Sequence, residues 1–185
     1  MICIINFGSQ KTAAIAETVQ SLGFECTVID WTEFKYDDFK NANAFILSGA
    51  PVLLSQTSPQ PYLDKIRFIQ TTVIPVLGIC FGHQLIGLLH GANVFMGEPV
   101  RTVVSMDILV QNSLFAGLPE RPLFAEDHTE GITLPAEFFH LAQSGKYKVE
   151  AMKHQSKNSY GVQFHPEVSG ENGKTLLFNF LQLVK

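Results

Sequence analysis

Two short stretches of this chain carry residue types that could do covalent chemistry together. In Gly78-Ile79-Cys80-Phe81-Gly82-His83-Gln84 a lone thiol stands between two glycines. It marks the junction of an apolar run, Val73 to Ile79, with a segment in which Leu85, Ile86, Leu88 and Leu89 recur at helical spacing. The pattern predicts a strand-to-helix corner so tight that neighbouring Cβ atoms would collide with it, and such a corner lifts the sulfur out of a sheet. A thiol at a helix start also meets unpaired backbone N–H groups and the helix dipole, which favour the thiolate nucleophile. Far downstream, Tyr160-Gly161-Val162-Gln163-Phe164 reads as a strand running directly into His165-Pro166-Glu167. Residues two apart on extended backbone point to the same side, and the proline restrains it, so the Glu167 carboxylate can approach the His165 ring. Placed beside Cys80, that pair completes a nucleophile, a base and an orienting acid. The plainer alternatives are a small core residue ending a strand and a histidine and glutamate on a surface loop.

The elements that must position these residues alternate. Ile2 to Ile5 reads as a buried strand, followed by the turn Asn6-Phe7-Gly8-Ser9-Gln10 and a helix from about Thr12 to Leu22, with Gly23 as its stop. Strands are predicted at Phe24 to Ile29 and Ala44 to Leu47, a polar and aromatic connection between them, and a helix at Tyr62 to Gln70 after a loop from Val52 to Pro61. This order predicts a parallel sheet covered on both faces, with the loops after Ile5, Leu47 and Ile79 opening together at the carboxyl ends of their strands. From Ala92 onward the pattern changes to short strands, at Arg101 to Met106, Ile108 to Val110, Pro122 to Ala125, Phe138 to Ala142 and Val149 to Met152, before a closing helix from about Gly173 to Val184. The fold class expected is α/β: an open, mostly parallel, doubly wound sheet with a small added antiparallel β region, in one domain spanning 1–185.

Composition narrows the partners. With 185 residues, 46% of them hydrophobic, a core of ordinary size can be buried, while a net charge of −4 without a Lys/Arg cluster argues against a nucleic-acid or anionic-membrane surface. The strand-like start lacks the pattern of a signal peptide and no apolar run reaches membrane-spanning length, so a cytoplasmic location is expected. Cys3, Cys26 and Cys80 have no metal-type spacing, so neither a disulfide framework nor a metal site is expected, and Cys3 and Cys26 read as inert packing residues inside apolar strands. His90, His140 and His154 show no pairing.

The Cys80 corner, the upstream Leu47-Ser48-Gly49-Ala50-Pro51 and the downstream Tyr160 to Val168 resemble the class I glutamine amidotransferases in content, order and spacing. Within that class, Asn6 to Gln10, Pro75 to Gln84, Leu114 to Pro119 and Tyr160 to Val168 most resemble the glutaminase domain of GMP synthase. The resemblance implies a flavodoxin-like sheet and a glutaminase that forms a γ-glutamyl thioester on Cys80, with His165 moving protons and Glu167 orienting it. It implies an oxyanion hole of backbone N–H groups at Gly49, Ala50 and Phe81, and a substrate pocket that includes Gln84 and the stretch Asp127, His128 and Thr129. It also implies that L-glutamine is the substrate and that the ammonia passes to a separate ATP pyrophosphatase (synthetase) subunit, most simply one that aminates XMP. No cofactor is then expected in this chain, ATP and Mg²⁺ being needed only in the partner. The alternatives are a stand-alone γ-glutamyl hydrolase, another amidotransferase branch or a non-catalytic regulatory subunit. Four positions depart from the family pattern: Asn6 replaces an aspartate, Ala50 a second glycine, His83 a methionine or similar residue, and Thr129 a glycine. If position 50 needs positive φ, Ala50 strains the turn.

Overall fold

A computed structural model describes residues 1–184. The elements in chain order are β1 (Ile2–Asn6), α1 (Thr12–Ser21), β2 (Cys26–Asp30), α2 (Tyr36–Phe39), β3 (Ala44–Leu47), α3 (Gln60–Ile66), β4 (Val76–Ile79) and α4 (Phe81–Leu89). The second half comprises β5 (Val94–Val100), β6 (Val103–Ser105), β7 (Asp107–Ile108), β8 (Leu123–Ala125), β9 (His128–Ile132), β10 (Phe138–Gln143), β11 (Ala151–His154), β12 (Ser159–Val162) and α5 (Gly170–Leu181). The main sheet has eight strands in the order β2-β1-β3-β4-β12-β11-β10-β7. Its first five are mutually parallel and its last three antiparallel, while β5-β9 and β6-β8 form two small antiparallel sheets.

Alternation along the strands explains why both faces are covered. Ile2, Ile4, Ile46, Leu77, Ile79, Tyr160 and Val162 point to one side, where α1 and α5 supply Ile15, Val19, Leu176, Leu177, Phe180 and Leu181. Cys3, Ile5, Phe45, Leu47 and Val76 point to the other, against Phe34, Ile66, Ile69, Phe81, Leu85 and Ile86. A period of two with both faces apolar is the signature of a parallel sheet between helical layers. The chain leaves β1 for β2 on one side and later returns to β3 on the other, so the loops after Asn6 and Leu47 diverge at a topological switch point, the usual place for a ligand cleft in such sheets.

Boundaries differ from expectation where exposure decides. The strand expected from Val73 begins only at Val76, and Val73 itself is 91% exposed. The strand Val94–Val100 is unforeseen because Gly97 and Pro99 interrupt it and Phe95 and Met96 face outward. Cys26 is half-buried on the edge strand rather than inside the core; burial still raises its pKa, and burial pushes that of Cys3 up to about 12, in keeping with unreactive thiols. Among the described residues no helix is long and apolar enough to cross a membrane.

Candidate active site

Cys80 ends β4 and begins α4 with φ 51° and ψ −104°, and it is the one non-glycine residue with positive φ among the described residues. Such a backbone costs about 1–3 kcal/mol and is held only when its surroundings over-determine it. Here they do. A Cβ on Gly78 would lie 2.5 Å from the backbone carbonyl of Gly82, and one on Gly82 would lie 2.6 Å from the Leu47 carbonyl oxygen, so only glycine lets α4 settle onto β3 and β4. The Cys80 N–H donates to the Val162 carbonyl at 2.8 Å and the Gly82 N–H to the Ser48 carbonyl at 3.1 Å, tying the corner to β12 and to the loop after β3.

His165 lies three residues past the end of β12, buried, with its N–H donating to the Ala125 carbonyl at 2.8 Å. Its Nδ1 stands 2.7 Å from Glu167 Oε1, with neither side chain more than 4% exposed. The two are brought together by a 3₁₀ turn over Pro166–Val168 and not by the extended segment expected. Proline's fixed φ suits the first position of a helical turn, and the turn folds Glu167 back onto the ring. Gly49 sits between the thiol and the imidazole: a Cβ there would be 3.2 Å from His165 Cε1 and 3.7 Å from Cys80 Cβ. Burial disfavours the imidazolium, but hydrogen bonding to Cys80 and Glu167 and their charges outweigh it and raise the His165 pKa from 6.5 to about 10. With Nδ1 committed to Glu167, Nε2 is the nitrogen left to exchange a proton.

The remaining expected residues converge on the same cleft, about 500 Å³ in volume, between the Gly8–Lys11 turn, the Ala50–Leu53 loop, the Cys80 corner and Asp127–Glu130. The N–H groups of Gly49, Ala50 and Phe81 have no acceptor among the described residues, and Ala50 and Phe81 line the cleft. The turn needs no left-handed residue at Ala50, whose φ is not positive, so the strain considered for that position is absent. Ser48 fixes the turn instead, its Oγ accepting from the Phe7 N–H at 2.9 Å and donating to the Gly49 carbonyl at 2.8 Å. Gln84 is buried, its Nε2 donating to the Glu130 carbonyl at 3.0 Å and to Gln163 Oε1 at 3.1 Å. His128 and Thr129 belong to β9 rather than to a loop, and the Thr129 carbonyl accepts from the Tyr147 hydroxyl at 2.7 Å. Asp127 is at the rim, its carboxylate 2.7 Å from Lys11 Nζ and 3.5 Å from Arg101 Nε, and the Lys11 hydrogen bond holds its pKa low.

Two of the other departures also find a local reason. Asn6 Oδ1 accepts from the Gly8 N–H at 2.9 Å and the Thr12 hydroxyl at 2.8 Å, a job that needs only an acceptor. His83 is fully buried, and burial first of all pushes its pKa down to about 3, leaving a neutral ring in the space opened by Gly161, where a Cβ would lie 2.4 Å from Nδ1.

Residues not foreseen from the sequence complete the surroundings. Gln163, fully buried, donates from Nε2 to the Cys80 sulfur at 3.6 Å. Glu130, also buried, accepts from the Leu54 N–H at 2.7 Å and the Ser55 N–H at 2.8 Å, pinning the loop that forms one wall of the cleft. A polar residue inside an apolar strand was the available signal for Gln163. Glu126 and Glu150 lie behind His128; burial, and then the Glu126 carboxylate, raise the Glu150 pKa to about 9. His90 and His154, expected to be unpaired, meet at Glu137, with Glu137 Oε2 3.4 Å and 3.8 Å from their ring nitrogens.

Known proteins match this chain over almost its whole length. The family model "Glutamine amidotransferase class-I" matches residues 3–184. One subunit of the glutamine-hydrolyzing GMP synthase of Pyrococcus abyssi is 37% identical over 188 residues, covering 99% of this chain and 98% of that protein. The glutamine-hydrolyzing GMP synthase of Clostridium kluyveri is 33% identical over 187 residues, which are 98% of this chain but 36% of that longer protein. Among solved structures, a candidate GMP synthase subunit from Thermoplasma acidophilum superposes with a TM-score of 0.91 at 26% identity, covering 99% of this chain and 92% of that one. A glutamine amidotransferase of Thermotoga maritima shares the fold, with a TM-score of 0.85 at 18% identity over 100% of this chain and 97% of the other. The chain therefore belongs to the class I glutamine amidotransferases.

Proposed function

We propose that this chain is one glutaminase domain that hydrolyses L-glutamine in the cytoplasm and hands the ammonia to a separate synthetase subunit, for a GMP synthase-type amination of XMP. The observation that carries the reading is the buried Glu167–His165 pair stationed with Cys80 in a single cleft. The Cys80 thiolate attacks the side-chain amide carbon of glutamine. Negative charge developing on the amide oxygen faces the N–H groups of Gly49, Ala50 and Phe81, and one such donor is typically worth about 10²–10³ in rate. The His165 imidazolium gives its proton to the departing nitrogen, so ammonia leaves and a γ-glutamyl thioester remains. Neutral His165 then takes a proton from water, the hydroxide adds to the thioester carbon, and the C–S bond breaks to release glutamate and restore the thiolate with its imidazolium. Glu167 keeps the Nδ1–H tautomer and stabilises the imidazolium. Gln84, Asp127, His128 and Thr129 form the wall against which glutamine is held.

These steps draw on no cofactor at the reacting atoms; ATP and Mg²⁺ belong to the partner. Relatives named as one subunit of GMP synthase match this chain over 98% of their own length, which supports a synthetase on a separate chain. The test is glutamate release from glutamine by the purified chain, alone and with a candidate synthetase supplied with ATP, Mg²⁺ and XMP. Glutamate and GMP in equal amounts are expected with the partner; no glutamate in either mixture overturns the reading.

A further inference from the structure

Behind the stretch of cleft wall lined by His128, three buried side chains converge without an evident counter-charge. Glu126, His128 and Glu150 each place a potential ligand atom within 4.8 Å of the others, and they are only 3%, 8% and 0% exposed. Ser144 donates to Glu150 Oε1 at 2.6 Å, but Glu126 Oε1 and Glu150 Oε2 have no hydrogen-bond partner among the described residues. No lysine or arginine pairs with either carboxylate among those residues.

The tautomer of His128 sharpens the problem. Its Nδ1 is 2.9 Å from the Glu130 carbonyl, which can only accept, so Nδ1 carries a hydrogen. In the neutral ring Nε2 then turns its lone pair toward Glu126 Oε2, 3.1 Å away. Were both acids ionised, two carboxylates and a lone pair would face one another in a dry interior, where uncompensated charge is costly; burial and the Glu126 carboxylate push the Glu150 carboxyl up to about 9, so without an ion it keeps its proton. A positive species has to stand among them, as protons or as one divalent ion.

The donor set fits the ion. An imidazole whose far nitrogen is fixed by a backbone carbonyl, beside two carboxylates, is how metal-ligating histidines are commonly arranged. Ligands bonded tetrahedrally to one zinc ion at about 2.0–2.2 Å lie about 3.3–3.6 Å apart, so the Glu126–His128 separation of 3.1 Å needs to open by only a few tenths of an ångström to admit it. We propose that Glu126, His128 and Glu150 form a divalent-cation site of the zinc type beneath the cleft, with the ion fixing the His128 ring and joining the start of β9 to the segment before β11. The site shares His128 with the wall of the glutamine cleft, so its test is a binding measurement with Cys80 blocked and not an assay of turnover.

The chain is stripped with a chelator, its Cys80 is alkylated with iodoacetamide, and Glu137→Ala is introduced to disable the surface cluster of His90, Glu137 and His154. Zn²⁺ is then titrated by calorimetry and Co²⁺ by visible absorption. One equivalent of each is expected, with a four- or five-coordinate Co²⁺ spectrum, a raised unfolding temperature, and at least about 100-fold weaker binding in Glu126→Gln and Glu150→Gln. Absence of saturable binding in the parent overturns the site, as does undiminished binding in both the Glu126→Gln and the Glu150→Gln variants. If the glutamine variants unfold, the parent alone decides: a Co²⁺ spectrum with only the weak bands of the six-coordinate aqua ion overturns it. A parent that takes up no metal and becomes more stable in Glu126→Gln would show a shared proton in place of the ion.

Discussion

At the level of single residues, the proposed chemistry rests on an imidazolium that survives in a buried place. His165 has a folded pKa near 10 against 6.5 for a free imidazole, so it stays protonated across the neutral range. Its contribution to stability is complete below about pH 6.5 and is lost as pH rises through about 10. The high-pH limb of kcat/KM, which reports the free enzyme, should accordingly lie near 10. In Glu167→Gln that limb should move down toward neutrality while kcat falls by about 10²–10⁴, measured by glutamate release across pH. An unmoved limb would deny Glu167 its influence on the ring. Gln163→Leu, which removes the N–H donor to the sulfur, should slow alkylation of Cys80 by iodoacetamide about 10- to 100-fold at neutral pH, on the usual worth of about 1.5–3 kcal/mol for a hydrogen bond to a charged group. An unchanged rate would show that the contact does not stabilise the thiolate. Cys80, His165 and Glu167 were legible in the sequence because glycine spacing and a proline act within a few residues. Gln163 and Glu130 were not, since their partners Cys80 and Leu54 lie 83 and 76 residues away.

At the level of elements, the corner between β4 and α4 is the least forgiving part of the molecule. Gly82→Ala places a Cβ against the Leu47 carbonyl, and the overpacking should cost about 1–3 kcal/mol in urea unfolding as well as displacing the thiol. A fully stable and active Gly82→Ala protein would show that helix and sheet can separate without harm. The loop after β3 depends on Glu130 in a different way. Glu130→Gln keeps one acceptor but loses the charge that holds Leu54 and Ser55, so KM for glutamine should rise more than kcat falls. A change confined to kcat would count against loop positioning. The strands β1, β3 and β4 could be read from the sequence because both faces are apolar. The strands β5 and β9 could not, because a small outer sheet with Gly97, Pro99 and the polar run His128-Thr129-Glu130 carries neither apolar continuity nor clean alternation. The His165–Glu167 contact was anticipated for the wrong backbone, a strand in place of a 3₁₀ turn, since the two-residue spacing permits both.

For the molecule as a whole, the parallel order β2-β1-β3-β4-β12 gathers segments distant in sequence at one edge of the sheet. That edge carries the corner after β4, the turn after β3 and the His165 turn after β12, so the cleft is a product of strand order and not of any single motif. Each inward Ile, Leu or Phe contributes about 1.5–3 kcal/mol on burial, and the two apolar layers together hold the three loops in register. The alternation of strand and helix revealed this much of the fold from the sequence, whereas the antiparallel extension β11-β10-β7 lacks helical spacers and depended on tertiary pairing.

The central claim, that Cys80 is acylated by glutamine beside His165, is tested most directly by treating the chain, with a candidate synthetase present, with the electrophilic glutamine analogue 6-diazo-5-oxonorleucine and locating the adduct by mass spectrometry. The account predicts a single stoichiometric adduct on Cys80, blocked by excess glutamine, much slower in His165→Gln and absent in Cys80→Ala. An adduct on another residue, or an unmodified Cys80 in a preparation that releases glutamate, would contradict it.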